Sequence, residues 1–199
     1  MFSGIIEEVV EVRALSEVGG RWNLSIESAL DHARTKIGDS ISLDGVCLTV
    51  IACEQGLLSF ELSPETLRRT HFSSVKVNSR VNLERALAID DRIHGHFVSG
   101  HVDGTVELLL REVEGAGERF LFSRPESLSQ FIVEKGCVSI NGVSLTVGEV
   151  GSKDFAVYLI SHTLTHTTLK DLNVGDLANI EVDLLARYIQ SIYLRQHNE

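Results

Sequence analysis

Two short stretches place side chains capable of chemistry at alternate positions. Residues 44–49 read DGVCLT and residues 141–146 read NGVSLT. A thiol such as Cys47 or a hydroxyl such as Ser144 can bind a polar ring, relay a proton or act as a nucleophile. His101 adds an imidazole, the side chain that most often transfers protons in enzymes. These residue types indicate the binding and activation of a small polar ligand.

The Asx-Gly dipeptide at the start of each stretch predicts a β-hairpin. Both positions of a two-residue type I′ turn need positive φ, which asparagine, aspartate and glycine adopt most readily. In the first hairpin this loop pairs Ser42 with Cys47 and Ser40 with Thr49. Alternate side chains of a strand point to opposite faces. Each hairpin is therefore predicted to have one apolar face and one face of hydroxyl and thiol groups.

The apolar faces are predicted to belong to the core. They consist of Ile41, Leu43, Val46, Leu48 and Val50 in the first hairpin, and of Val138, Ile140, Val143, Leu145 and Val147 in the second. The opposite faces carry Ser40, Ser42, Cys47 and Thr49, and Cys137, Ser139, Ser144 and Thr146. Such a face can cradle a flat polar heterocycle. Serine and threonine are also ordinary on a solvated strand, so the hairpins alone leave both interpretations open.

The hairpins belong to an internal repeat that spans the chain. GVCLTV at 45–50 recurs as GVSLTV at 142–147, 97 positions later. Similar offsets relate Ser3-Gly4 to Ser99-Gly100, Thr66-Leu67 to Thr163-Leu164, Asn82 to Asn179 and Glu84 to Glu181. The chain is therefore a duplication, and each copy is long enough to be a domain with its own core. We predict a first domain with a linker over residues 1–92 and a second domain over residues 93–183.

Each copy is predicted to be β structure, because its apolar segments are short and are bounded by turn residues. Examples in the first copy are Ser40–Leu43, Val46–Cys53, Leu57–Leu62 and Arg80–Leu83. Several short strands without a long helix favour a small Greek-key barrel or sandwich. The segment that contains His162 and His166 aligns with a strand-to-loop region, so these two side chains are not expected to share a face.

Residues 184–199 lie beyond both copies and are predicted to form a helix, with Asp183 suited to cap its N-terminus. Apolar residues at i, i+3, i+4 and i+7 form one stripe on this helix. The stripe consists of Leu185, Tyr188, Ile189 and Ile192. It could pack on the chain's own barrel or on other chains. We favour oligomerisation, because the helix is appended to barrels that are already complete.

Composition and charge argue against several classes of function. The formal net charge is −10, and the 18 Lys and Arg residues do not cluster, which argues against nucleic acid as a partner. No apolar run approaches the roughly 20 residues that a membrane helix needs. The stretch MFSGIIEE lacks the basic region of a secretory signal, and the 3 cysteines show neither disulfide nor zinc spacing. We therefore expect a cytoplasmic protein with reduced thiols.

Taken together and in order, the motifs resemble those of the riboflavin synthase family over essentially the whole chain. The matching stretches are MFSGII (1–6), GVCLTV (45–50), ETL (65–67), VNLERAL (81–87), GHFVSGHVDG (95–104), KG (135–136), NGVSLTV (141–147), ISHT (160–163) and NIEVD (179–183). The resemblance implies an all-β fold of two tandem six-stranded Greek-key β-barrels plus a C-terminal α-helix. It also implies homotrimers, in which the N-terminal barrel of one chain meets the C-terminal barrel of a neighbour.

The activity implied is a dismutation of two 6,7-dimethyl-8-ribityllumazine molecules, which exchange a four-carbon unit. The products are riboflavin and 5-amino-6-ribitylamino-2,4-pyrimidinedione, and neither a cofactor nor a metal is expected. Ligands are then the lumazine and riboflavin, and lumazine synthase is a further partner to consider. Two identical molecules in donor and acceptor roles need similar but unequal sites. The copies differ at suitable positions, since Cys47 aligns with Ser144 and His101 aligns with Ile5.

By resemblance, the catalytic candidates are His101, Ser144 and Cys47. The substrate-binding candidates are Gly4, Ser40, Cys47, Thr49, Thr66, Gly100, His101, Lys135, Ser144, Thr146, Ile160, Thr163 and Asp183. His101 would transfer a proton or polarise the ligand, and Ser144 would orient it. Cys47, a water molecule and a ribityl hydroxyl are alternative nucleophiles.

Two other functions compete with this hypothesis. A lumazine or flavin carrier, or an antenna protein, could have the same fold without turnover. A metal hydrolase could use His94, His96 and His101, although their spacing is not that of a usual zinc site. We interpret His96 as a structural residue at the junction of the copies. The enzyme is favoured because both copies keep hydroxyl-bearing hairpin faces and all three catalytic candidates are present.

Overall fold

The computed structural model describes residues 1–197, and its twelve strands form two closed antiparallel barrels. The first barrel consists of β1 (Glu8–Val18), β2 (Arg21–Glu27), β3 (Ser40–Leu43), β4 (Val46–Glu54), β5 (Leu57–Leu62) and β6 (Arg80–Arg85). The second consists of β7 (Gly104–Glu114), β8 (Gly117–Ser123), β9 (Cys137–Ile140), β10 (Val143–Val150), β11 (Asp154–Leu159) and β12 (Leu177–Val182). The predicted fold class is confirmed. The domain limits at 92 and 93 stay a prediction.

Both barrels have Greek-key topology. In the first, β3, β4 and β5 are joined as consecutive hairpins, and β6 returns to lie beside β3. The second barrel repeats this order with β9, β10, β11 and β12. Closure of each sheet through β1 and β7 removes exposed edges.

The two Asx-Gly turns have the predicted geometry. Asp44 and Gly45 have φ of 43° and 81°, and Asn141 and Gly142 have φ of 46° and 79°. The register of the first hairpin is the predicted one, with Ser42 opposite Cys47. All ten residues of the predicted apolar faces are at most 8 % exposed. They pack in two separate cores, one inside each barrel.

The two barrels meet at their hairpin turns, in an arrangement that repeats itself about the junction. The Asn82 side-chain amide donates to the Asn141 carbonyl (2.8 Å), and the Asn179 amide donates to the Asp44 carbonyl (2.8 Å). A Cβ added to Gly45 would lie 2.7 Å from the Gly142 nitrogen. Only glycine therefore allows the turns to approach this closely.

Two six-residue helices follow corresponding strands, α1 (Pro64–Arg69) after β5 and α2 (Ser161–His166) after β11. The expectation for His162 and His166 is therefore wrong: their rings stack with centroids 4.0 Å apart. The side chains of Thr165 and His166 hydrogen-bond carbonyls of the preceding turn, which stabilises this short helix. Single turns of 3-10 helix lie at His71–Ser73, Glu126–Leu128 and Thr168–Asp171.

The predicted C-terminal helix is present as α3 (Leu184–His197); residues 198 and 199 of the predicted segment lie outside the described residues. Asp183 caps it, since its carboxylate accepts from the Leu185 N–H at 2.9 Å. Arg187 holds the helix to the second barrel through two bonds to the Asp103 carboxylate, of 2.8 and 2.9 Å. The apolar stripe is exposed, with Ile189 67 % accessible. Over residues 1–197, no helix is long and apolar enough to span a membrane.

Candidate functional site

Each barrel carries a row of polar side chains on the outer face of its hairpin. In the first barrel, Ser42 lies between Cys47 on β4 and Glu84 on β6. In the second, Ser139 lies between Ser144 on β10 and Glu181 on β12. The central serine and the glutamate of each row are buried, whereas Cys47 and Ser144 are half-buried. Cys47 and Ser144 are therefore the reactive members of each row that a ligand can approach.

The segments that precede each barrel lie on the hairpin of the other barrel. Gly4 accepts a hydrogen bond from the Ser144 N–H with its carbonyl, at 2.8 Å. Gly100 accepts one from the Cys47 N–H in the same way, at 2.9 Å. The two segments also pair with each other through an isolated bridge between Phe2 and Val98. Both halves of the chain thus contribute to the surroundings of each reactive side chain.

Gly4 and Gly100 have no room for a side chain at these contacts. Their φ angles are +77° and +79°, and an added Cβ would lie 2.6 Å from Ser144 Cβ or 2.5 Å from Cys47 Cβ. Both positions therefore require glycine for conformation and for space. This accounts for two of the predicted site residues by shape rather than by chemistry.

Two buried carboxylates hold these glycine segments in place. Glu84 accepts from the Ser3 N–H (2.7 Å), the Ser3 hydroxyl (2.9 Å) and the Gly4 N–H (3.0 Å). Burial raises the pKa of the Glu84 carboxyl, and the bonds from Ser3 and Gly4 oppose that shift. Glu181 makes the same three bonds to the segment of Gly100, at 2.6–2.9 Å.

Ser144 has a further neighbour, His96, which was predicted from the sequence to be a purely structural residue. The His96 Nδ1 lies 2.7 Å from the Ser144 hydroxyl oxygen, and His96 is 9 % exposed. Burial lowers the pKa of His96, against the opposing effect of the Asp183 and Glu181 carboxylates. A neutral imidazole at this distance can accept a proton from the hydroxyl. His96 belongs to the stretch GHFVSGHVDG, one of those that carry the family resemblance, so the sequence did contain a signal for a role in the site.

Comparison with known proteins identifies the family. The model of the lumazine binding domain matches twice, over residues 3–86 and 99–183. The riboflavin synthase of Photobacterium phosphoreum is 42% identical over 195 residues, covering 98% of this chain and 89% of that protein. The chain belongs to the riboflavin synthase family.

Other members of the family agree over the same length. The riboflavin synthase of Brucella abortus is 42% identical and covers 94% of this chain and 96% of its own length. The riboflavin synthase of Bacillus subtilis is 35% identical, and the match covers 100% of this chain and 92% of that protein. The predicted family and the prediction that the chain is an enzyme are both confirmed.

Solved structures add agreement on the fold. A crystal structure of LumP complexed with riboflavin has a TM-score of 0.84 at 21% identity, and covers 92% of this chain and 99% of that one. LumP complexed with 6,7-dimethyl-8-(1'-D-ribityl) lumazine has a TM-score of 0.82 at 20% identity, with the same coverage. At this identity the likeness establishes the shared double-barrel fold alone.

Among the other residues expected from the riboflavin synthase resemblance, His101 belongs to the segment whose Gly100 carbonyl accepts from the Cys47 N–H. It directly follows Gly100, its side chain is exposed, and its N–H donates to the Ser99 hydroxyl at 3.3 Å. Its counterpart Ile5 follows Gly4, whose carbonyl accepts from the Ser144 N–H, and is 45 % exposed. The divergence between the two copies therefore puts an imidazole in the segment that contacts the Cys47 backbone and an aliphatic side chain in the segment that contacts the Ser144 backbone.

Several candidates surround the two hairpins. Ser40 is paired with Thr49 beside Cys47 in the first barrel. In the second, Thr146 is exposed and is paired with Cys137. Burial raises the pKa of the Cys137 thiol. Lys135 is exposed, and its N–H donates to the Val147 carbonyl at 2.9 Å.

Two of the candidates line cavities next to the barrels, and two others lie on the short helices α1 and α2. Ile160, 66 % exposed, lines a cavity of about 460 Å³ whose lining contains neither Ser144 nor Thr146. Thr163 follows on α2, and Thr66 occupies the corresponding place on α1. A larger cavity of about 860 Å³ includes Ser40 together with Met1 and Ile5.

No group of three potential metal ligands occurs among residues 1–197. The histidines of the competing metal hypothesis have other surroundings: His96 contacts Ser144, and His101 lies beside Gly100. The functional groups that the fold concentrates are hydroxyl, thiol, imidazole and carboxylate. These groups bind a polar ring and move protons.

Proposed function

We propose that the chain converts two molecules of 6,7-dimethyl-8-ribityllumazine into riboflavin and 5-amino-6-ribitylamino-2,4-pyrimidinedione. The observation that carries this proposal is the pair of equivalent hairpin faces that differ at their reactive position, Cys47 in one and Ser144 in the other. Two like molecules in opposite roles need such a pair of sites. Correct placement of two reactants supplies about 7–11 kcal/mol of a barrier. The products contain all the atoms of the two substrates, so no oxidant is required.

At the Ser144 hairpin, the proposed role of the protein is to orient one lumazine and to take up a proton. The Ser144 hydroxyl binds the ring, and the neutral His96 accepts the hydroxyl proton through the 2.7 Å contact. By the family resemblance, the residues that contact the ring or the ribityl chain here are Thr146, Lys135, Ile160, Thr163 and Asp183. The acidic 7-methyl group of the lumazine is the source of the proton that has to move.

At the Cys47 hairpin, the proposed role is to hold the second lumazine beside a thiol and an imidazole. Cys47, with Ser40 and Thr49 on the same face, contacts the ring. His101, which follows Gly100, transfers a proton or polarises the ligand. Thr66 takes the place that Thr163 has in the other half. Cys47, water and a ribityl hydroxyl are the candidate nucleophiles.

We further propose that the active assembly is a homotrimer built on α3. The support is the exposed stripe, with Leu185, Tyr188, Ile189 and Ile192 between 57 and 67 % accessible. A contiguous exposed apolar patch of this kind is typical of a protein–protein interface. Light scattering would give three chain masses for the wild type and one for Ile189→Asp, with Ser191→Asp as control. A cytoplasmic location and an encounter with lumazine synthase stay predictions.

The decisive experiment is incubation of the purified protein with 6,7-dimethyl-8-ribityllumazine alone, followed by riboflavin absorbance over time. Formation of riboflavin and the pyrimidinedione in equal amounts is expected, without added cofactor. A fluorescent ligand that stays bound and unchanged would instead indicate a carrier or antenna protein. Activity that chelator abolishes and zinc restores would support the metal hypothesis.

A further inference from the structure

The two buried glutamates connect one barrel to the reactive residue of the other. Glu84 belongs to β6 of the first barrel, yet the segment it binds supplies the carbonyl that Ser144 of the second barrel uses. Glu181 belongs to β12 of the second barrel, yet its segment serves Cys47 of the first. The connections therefore cross the junction in both directions.

A carboxylate is well suited to this task. Each of the two is 3 % exposed and accepts from two consecutive backbone N–H groups and one serine hydroxyl. Charge-assisted bonds of this type are stronger than bonds between neutral groups. A side-chain amide in the same place would turn one acceptor into a donor that faces an N–H. The segment would then lose part of its anchorage although the side chain kept its shape.

The contact at the far end of each segment leaves little room for movement. The Gly4 backbone touches Ser144 and the Gly100 backbone touches Cys47, so closely that a methyl group cannot be inserted. A small displacement of either segment must therefore change the position or the accessibility of that side chain. Catalytic side chains held even slightly out of place lose much of their effect.

We propose that Glu84 and Glu181 are positioning residues that act across the barrel junction, Glu84 on Ser144 through Ser3-Gly4 and Glu181 on Cys47 through Ser99-Gly100. The catalytic part of this inference rests on the proposed function, in which Ser144 and Cys47 contact substrate. The mechanical part depends only on the crossed contacts. Each hairpin face is then completed by a carboxylate of the opposite barrel.

Iodoacetamide labelling, followed peptide by peptide with mass spectrometry, tests the mechanical part. Glu181→Gln should speed labelling of Cys47 about tenfold, whereas Glu84→Gln should leave it unchanged. A thiol introduced by Ser144→Cys should respond in the opposite way, to Glu84→Gln and not to Glu181→Gln. Cys53, half-buried on β4, is the internal control and should keep its rate in every variant.

Two outcomes would overturn the inference. If Glu84→Gln accelerated Cys47 as much as Glu181→Gln does, each carboxylate would act within its own barrel or on the fold as a whole. Equal rates in all variants would mean that the carboxylates do not position these side chains. Should a glutamine variant fail to fold, Ser3→Ala and Ser99→Ala remove one donor each and should give the same crossed pattern at about threefold.

Turnover tests the catalytic part separately. Glu84→Gln should lower kcat about tenfold, and adding it to Ser144→Ala should lower kcat no further, because the carboxylate acts through the hydroxyl. Additive losses would contradict that path. If wild-type protein formed no riboflavin but labelling kept its crossed pattern, the proposed function would fail and the positioning would stand. Full turnover with an uncrossed labelling pattern would mean that the proposed function stands and the positioning fails.

Discussion

The Ser144 and Cys47 hairpins have the same backbone and different chemical surroundings. Each reactive residue donates its N–H to a glycine carbonyl of the opposite segment, at 2.8 and 2.9 Å. Ser144 also lies 2.7 Å from the Nδ1 of a buried histidine, whereas the Cys47 sulfur has no hydrogen-bond partner among residues 1–197. The two copies thus share the cradle and differ in the group that lies beside the reactive side chain. The Ser144 hydroxyl has an imidazole within hydrogen-bonding distance, whereas the exposed imidazole of His101 belongs to the segment whose Gly100 carbonyl contacts the Cys47 N–H.

This difference predicts unequal costs when the reactive atoms are removed. Ser144→Ala should lower kcat about 100-fold or more, because it removes the hydroxyl that His96 polarises. Cys47→Ala should lower kcat less, about tenfold, since its thiol lacks such a partner. Thermal unfolding of both variants should stay close to that of wild type. Initial rates with the lumazine check the ranking, and a larger loss for Cys47→Ala would reverse the assignment of the two sides.

Acid should inhibit the reaction through His96 on the Ser144 side. Burial lowers the pKa of His96 below the ordinary value of 6.5, so the imidazole stays neutral to lower pH than it does in the unfolded chain. In acid, kcat/KM should decline about tenfold per pH unit below that lowered pKa, as His96 loses its ability to accept a proton. A pH profile of wild type beside His96→Gln measures the decline. His96→Gln should have a lower kcat/KM and should not show this decline in acid. An unchanged decline in His96→Gln would assign it to another titrating group.

The same shift has a consequence for stability. Since the folded state binds the His96 proton less tightly, the unfolded state holds more protons between the two pKa values. The contribution of His96 to the free energy of unfolding is therefore complete above pH 6.5 and is lost as the pH falls toward the lowered folded value. Denaturant titrations at several pH values should show a shallower pH dependence in His96→Gln. An equal dependence in both proteins would argue against a buried neutral imidazole.

The hairpins were predictable because their determinants are local. Two turn positions with positive φ permit few other connections, and a two-residue loop then fixes which side chains share a face. The fold class followed from repetition and from motif resemblance over the whole chain. The limits of β4 and β6 were less predictable, since Glu54 and Arg85 extend strands beyond the apolar residues that mark them.

Contacts between distant segments were not predictable in the same way. Nothing in the residues near Gly4 indicates that its carbonyl meets Ser144 of the other barrel rather than Cys47 of its own. His96 gave no local sign of burial, so its contact with Ser144 became apparent only in three dimensions. The helix with His162 was missed although its counterpart begins with Pro64, a residue favoured at the first position of a helix. Because Ser161 aligns with Pro64 in the repeat, the alignment of the two copies contained the signal for this helix.

At the junction, one half has a hydrogen-bonded pair of side chains, a buried aspartate and a partly buried histidine, that the other half lacks. Asp44 is 2 % exposed and lies 3.0 Å from the His71 Nε2, while the corresponding positions in the second half are Asn141 and Thr168. Asparagine fits the turn equally well, because Asn141 has nearly the same φ as Asp44, 46° against 43°. Substitution at Asp44 therefore tests the side-chain contact without straining the backbone.

The smallest expected effect is a coupling energy at this junction. Asp44→Asn and His71→Thr should each lower the free energy of unfolding by about 1 kcal/mol, the usual value of one hydrogen bond. The double variant reproduces the arrangement of the second half and should cost less than the sum of the two. Urea denaturation of the four proteins measures the difference. Strictly additive costs would mean that Asp44 and His71 stabilise the junction independently, and that the asparagine and threonine of the second half are no matched substitute.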